Sequence, residues 1–130
     1  MPIQIEHTQD GFGIEFKCSG IVTGEDIIAA NKEIYNDDNF LKQRYQIVDR
    51  SNCETYQVSN EEIRIIAQQD TAAAKKNPNV IIAIVSATDL QFGISRMYQA
   101  LVGDKGFLTE VFRERKSAEE WIEKHLTDVG

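Results

Sequence analysis

Ile3 and Ile5 alternate with Gln4 and Glu6, and Ile14, Phe16 and Cys18 alternate with Glu15, Lys17 and Ser19. A period of two puts one apolar and one polar face on an extended chain, so both stretches predict half-buried strands. Asp10-Gly11 and Gly13 lie between them, where glycine accepts the positive φ of a tight turn. The first twenty residues therefore predict a β-hairpin. Thr23-Gly24-Glu25-Asp26 follows, with a hydroxyl to cap a free N–H and two acids at the positive end of a helix dipole. Ile27, Ala30 and Ile34 give that helix its apolar stripe, with Ile28 and Tyr35 beside it, as far as Asn36-Asp37-Asp38-Asn39. Tyr45 to Asp49 predicts a short strand.

Ser59-Asn60-Glu61-Glu62 matches the reciprocal capping box, and the helix it opens ends near Lys76, because Pro78 disfavours helical backbone at Asn77. Val80 to Val85 is apolar at odd and even positions alike, the pattern of a strand covered on both faces. A helix over 89–102 is closed by Gly103, a strand runs from Phe107 to Arg113, and Ser117-Ala118-Glu119-Glu120 predicts a second capping box opening a last helix to Leu126. The order ββαβαβαβα predicts a single α/β domain over 1–130. Its sheet should be mostly parallel with right-handed crossovers, an antiparallel first strand and helices on both faces. Val80–Val85 should be its most buried segment.

Length and composition agree with one ordinary globular core: 130 residues, 42% hydrophobic, 27% charged. No apolar run is long enough to span a bilayer and no basic-then-apolar leader opens the chain, so the expected location is cytoplasmic, without membrane insertion. The formal charge is −7. It is concentrated in residues 1–65, at a net −6, against −1 in the rest. Nucleic-acid binders neutralise phosphates with clustered cations, and the one basic cluster here, Arg113, Arg115 and Lys116, is interrupted by Glu114. Nucleic acid is therefore not an expected partner. Cys18 and Cys53, 35 positions apart, read as small apolar side chains in a reducing compartment.

No phosphate-cradling glycine motif, nucleophile elbow or metal-ligand spacing is present, so neither a cofactor, a metal nor catalysis is expected. His7 and His125 lie on different elements, and His125 suits the negative end of its helix. Asp70 stands out because it shares a helical stripe with Ile63, Ile66, Ala67 and Ala74, where a carboxylate needs a partner. Arg96 is the candidate partner, and a ligand-lining role is the alternative. Ligands of open α/β sheets meet the carboxyl ends of the strands. That rim would hold Asp49-Arg50-Ser51, Val58-Ser59-Asn60 and Ser86-Ala87-Thr88-Asp89, with two helix N-termini that favour an anionic group. The candidate ligand-lining residues are Asp70, Ser86, Asp89 and Arg96; the candidate partner rim is Asp49, Ser51, Ser59 and Asn60.

Ile47-Val48-Asp49-Arg50-Ser51 through Val58-Ser59-Asn60-Glu61-Glu62-Ile63 resembles the strand, loop and helix start of the STAS fold of bacterial anti-sigma-factor antagonists (SpoIIAA-like). Phe92 to Leu101, Glu110 to Arg113 and Ala118 to Ile122 are similar to small uncharacterised bacterial proteins of that kind. In the antagonists the turn reads D-S-S-G and a partner kinase phosphorylates its second serine. On that pattern Ser59 falls on the phosphorylated serine, with Gln57, Val58 and Asn60 in place of the acid, the first serine and the glycine. Asn60 tolerates a turn or left-handed backbone. Two readings of Ser59 stay open: an N-cap alone, or a phosphorylation switch.

The function expected from the sequence is a non-enzymatic cytosolic interaction or regulatory module that docks a protein partner through the rim around Ser59. The alternative is a carrier or sensor of a small apolar or lipid-like ligand, implied by the relation of the STAS fold to CRAL-TRIO lipid-binding domains. A homodimer is also expected. Phe92 and Met97 share a helix with the uncharged polar Gln91, Ser95 and Gln99, the composition of an interface core. Ile94, Tyr98 and Leu101 would then face inward.

Overall fold

The structure is a computed structural model that describes residues 2–129. Its elements are β1 (Ile3–His7), β2 (Gly13–Thr23), α1 (Gly24–Tyr35), a 3₁₀ turn (Phe40–Lys42), β3 (Tyr45–Gln57), α2 (Asn60–Lys76), β4 (Ile81–Val85), α3 (Asp89–Val102), β5 (Leu108–Phe112) and α4 (Arg115–Val129). They form one five-stranded sheet in the order β1-β2-β3-β4-β5, with β1 antiparallel to β2 and every other pair parallel. The sheet, its hairpin and the helix order are those the residue pattern predicts.

Parity along each strand decides what covers it. Ile14 and Phe16 of β2, Ile82 and Ile84 of β4 and Val111 of β5 point into the main core, against α1, α2 and α3. The alternate positions, Tyr45 and Ile47 of β3 with Ala83 and Val85 of β4, pack with Ala118 and Ile122 of α4 on the other face. Ala83 and Ala118 are both fully buried; with no side chain beyond Cβ, they let α4 approach the sheet closely. Strand β4 lies between β3 and β5. Val80 and Ile82–Val85 are at most 3% exposed, which accounts for the unbroken apolar run.

Two element boundaries differ from expectation. Strand β3 runs eight residues past Asp49, to Gln57. Beyond Asp49, which pairs with Val85, it leaves β4 and keeps only β2 as a neighbour, with register shifts near Gly20. Ser51-Asn52-Cys53-Glu54-Thr55-Tyr56-Gln57 has the composition of a loop, because a two-stranded extension leaves most of its positions in water. Helix α4 begins at Arg115, so Ser117 lies inside its first turn and does not cap it.

The third difference concerns α3. Gln91 and Ser95, expected at an interface, are 3% and 0% exposed. The Gln91 amide nitrogen donates to the Cys53 carbonyl at 3.3 Å, and Gln99 donates to the Thr109 carbonyl at 2.6 Å. Tyr98 faces inward as expected, but Leu101 is exposed. Phe92 is half-buried, its ring under the guanidinium of Arg113 at 4.3 Å. The uncharged polar residues of α3 therefore tie the helix to its own sheet, which removes the composition argument for a dimer face.

Candidate functional site

The split between β3 and β4 just past Asp49 opens a crevice at the carboxyl end of the sheet. Between that crevice and α1, α2 and α3 lies a pocket of about 660 Å³ including its mouth, of which about 60 Å³ has room for the centre of a water molecule. Ordered water needs only ~10–15 Å³ by that measure. The walls are mostly apolar, with Phe16, Val48, Ile66, Ile82, Ile84 and Ile94 among them. Two polar clusters interrupt this lining.

The first is built on Asp70, in the middle of the buried stripe of α2 and 5% exposed. Tyr35 of α1 donates its hydroxyl to Oδ1, and Tyr98 of α3 donates to Oδ2. The Asn31 amide nitrogen lies 3.4 Å from Oδ1 and donates to Gln69 Oε1 at 3.1 Å. Burial pushes the Asp70 carboxyl up to about 6, against the two tyrosine hydrogen bonds, which favour the ionised form. Burial and the Asp70 charge hold both phenols well above their ordinary value, so they remain neutral donors.

The second cluster surrounds Arg50, the first residue of β3 beyond its pairing with β4. Its side chain follows Gln46 and Val48 on the pocket face, and the residue is 8% exposed. Nη1 donates to Ser95 Oγ at 2.6 Å, and Ser95 Oγ lies 3.0 Å from Ser86 Oγ. The guanidinium carbon stands 4.5 Å from the Tyr56 ring centre, a cation–π contact. The Arg50 Nε and the Gln46 amide nitrogen are buried without a hydrogen-bond partner.

The residues singled out from the sequence are dispersed by this geometry. Asp70 lines the pocket, but Arg96 does not pair with it: Arg96 is on the surface, near Gln99 and Glu110, while two tyrosines hold Asp70. Ser86 is fully buried and reaches the pocket through Ser95. Asp89 is exposed and pairs with Arg113 at 2.9 Å. Asp49 and Arg50, grouped on one rim by their adjacency, point to opposite faces because side chains alternate along a strand. Asp49 accepts from Ser51 and, at 2.8 Å, from Arg115 on the α4 side. Burial alone would raise its carboxyl, but those hydrogen bonds outweigh it and hold the group below the usual value.

Ser59 is the exposed N-cap of α2, one helical turn from the pocket residue Ile63. Both halves of the capping box are formed: Ser59 Oγ accepts from Glu62 N at 3.1 Å, and Glu62 Oε1 accepts from Ser59 N at 2.9 Å. Asn60 is the first helical residue, and no non-glycine among the described residues has positive φ. The left-handed conformation open to Asn60 is thus not used. A shared cap sets the stability test: Ser59→Ala should lose about 0.5–2 kcal/mol in urea unfolding, and Ser59→Asp only a few tenths. Equal loss in both variants would mean that the box does not hold the helix end.

A second depression, between α4 and Tyr45, is larger but more open to solvent, and two of its charged groups already have partners. Asp10 accepts from Tyr45, and Arg115 pairs with Glu119 and Asp49. The site is therefore the internal one, a mostly apolar pocket with a tyrosine-held carboxylate and a buried arginine, in a five-stranded mixed α/β domain. No protein-family model matches the sequence, and no curated protein is significantly similar to it. Among solved structures the chain is similar to an uncharacterised protein of the DUF3478 family from Shewanella loihica PV-4, described as having a SpoIIAA-like fold. The two are 21% identical, with a TM-score of 0.55 over 92% of this chain and 91% of that one. The fold is SpoIIAA-like, as the sequence resemblance implied.

Proposed function

We propose that this domain is a non-enzymatic carrier or sensor of a small, largely apolar molecule, held between the sheet and α1, α2 and α3. The observation that carries the reading is the pocket itself. A concave apolar space with a few convergent polar groups and a perturbed carboxyl is the usual form of a small-molecule site. Ligand binding thereby moves ahead of partner docking around Ser59, whose hydroxyl is accounted for by the cap. The polar groups belong to different elements: Tyr35 to α1, Asp70 to α2, Ser95 and Tyr98 to α3, Arg50 to β3. A guest touching them would alter how three helices sit on the sheet, and Ser59 lies one turn away. No helix among the described residues is long and apolar enough to cross a membrane.

The test is occupancy of the pocket. An uncharged naphthylamine dye should brighten on the wild-type chain and bind at least about tenfold more weakly to Ile94→Trp, which enlarges a half-buried side chain of the pocket wall and leaves the strand residues unchanged. Equal binding to both, with Ile94→Trp folded, would place the dye on the surface and reject the reading.

A further inference from the structure

We infer that the guest is a small monocarboxylate, its apolar body against Ile66, Ile82 and Ile84 and its carboxylate on the guanidinium of Arg50; the inference rests on the pocket being a binding site. Arg50 is 8% exposed and forms no ion pair among the described residues. A cation withdrawn from water without an anion is strongly disfavoured. Its present neighbours, the hydroxyl of Ser95 and the ring of Tyr56, are neutral. The other carboxylate in the pocket, Asp70, takes its hydrogen bonds from Tyr35 and Tyr98 and not from Arg50. No anion thus touches the Arg50 guanidinium, and that contact is left for the guest.

The donors fit a carboxylate. A guanidinium is a planar fork whose adjacent N–H groups match two carboxylate oxygens. Ser95 occupies Nη1, while Nε is buried with no acceptor. Ser95 Oγ accepts the hydrogen bond from Arg50 Nη1, which leaves its own hydroxyl hydrogen free to donate to Ser86 Oγ at 3.0 Å. That chain and the Tyr56 face hold the fork in place before a guest arrives, which lowers the ordering cost of binding. A neutral guest would leave the cation uncompensated. A phosphate dianion would bring two charges to one guanidinium.

Calorimetric titration of the full chain with hexanoate and octanoate, against 1-hexanol and 1-octanol, separates this inference from the reading beneath it. Each acid should bind at least about tenfold tighter than its alcohol, in line with a charge-assisted hydrogen-bonded pair. The nitrogen-15-detected Arg50 Nε–H resonance should move with the acids and stay in place with the alcohols. Arg50→Gln should erase the preference while the alcohols still bind. Acids and alcohols binding equally to the wild type would overturn the carboxylate assignment and leave the pocket reading intact; no binding by either class would overturn both. The acid–alcohol comparison needs no variant, so it decides the matter even if Arg50→Gln does not fold.

Discussion

Replacing Asp70 with asparagine should stabilise the fold progressively more, relative to the wild type, as pH rises from weak acid to neutrality. The folded-state pKa of Asp70 is raised, from an ordinary 3.8 to about 6, by burial. A native state that holds its proton more tightly than the unfolded chain is favoured where protons are abundant. The contribution is fully present below the unfolded pKa and is lost as pH rises through about 6. Across the window from near pH 4.5 to near pH 7.5 the loss is about 2 kcal/mol at ~1.4 kcal/mol per pKa unit. The amide of Asp70→Asn cannot titrate, so the stability gap between variant and wild type should shift in the variant's favour by that amount.

The groups facing Asp70 do not titrate in the same window. Tyr35 and Asn31 approach from α1 and Tyr98 from α3, and burial keeps both phenols neutral. Asp49 and Asp10, whose values are lowered, act in the opposite direction, with stability lost as pH falls, but they are common to both proteins and cancel in the difference. Urea unfolding of the two proteins at several pH values measures the gap. A gap constant with pH would show that Asp70 titrates normally and that water reaches it. Asp70→Leu provides the contrast: it leaves two buried phenol hydroxyls without an acceptor, at about 1–3 kcal/mol each, at every pH in the window.

The legible and illegible parts of this molecule divide by sequence distance. The run Val80–Val85 could be read as a doubly covered strand because its signal is local: no position in it alternates to polar. Asp70 could be read as an anomaly because its stripe, Ile63, Ile66, Ala67 and Ala74, is also local. Its partners could not. Tyr35 and Tyr98 lie 35 and 28 positions away, and an inward tyrosine on an apolar stripe looks like core until its hydroxyl is given an acceptor. Arg50 was visible only as a rim residue beside Asp49; strict alternation from Gln46 through Val48 puts it on the pocket face. What hid it was the end of pairing with β4, a property of register and not of composition. Ser95 and Gln91 are ambiguous for a related reason: small uncharged polar residues suit a wet interface and a buried hydrogen-bond network equally well.

Phe107→Ala should give the largest loss of stability among single truncations on the α1–α3 face of the sheet, about 3–5 kcal/mol. Phe107 is 2% exposed and completes an aromatic triplet with Tyr35, ring centres 6.1 Å apart, and Phe40, 6.4 Å apart. Phe40 meets Tyr35 edge-on at 5.0 Å. These rings fix the plane of Tyr35 and so aim its hydroxyl at Asp70, which joins the packing of the core to the electrostatics of the pocket. Two consequences are expected together. The unfolding midpoint should fall further for Phe107→Ala than for Trp121→Ala, whose half-buried ring packs on Phe112 across the α4 face. The pH-dependent gap opened by Asp70→Asn should also shrink in the Phe107→Ala background, since a loosened Tyr35 admits water to the carboxyl and returns its pKa toward the ordinary value. An undiminished gap in a destabilised protein would mean that the triplet supports the fold without orienting the site.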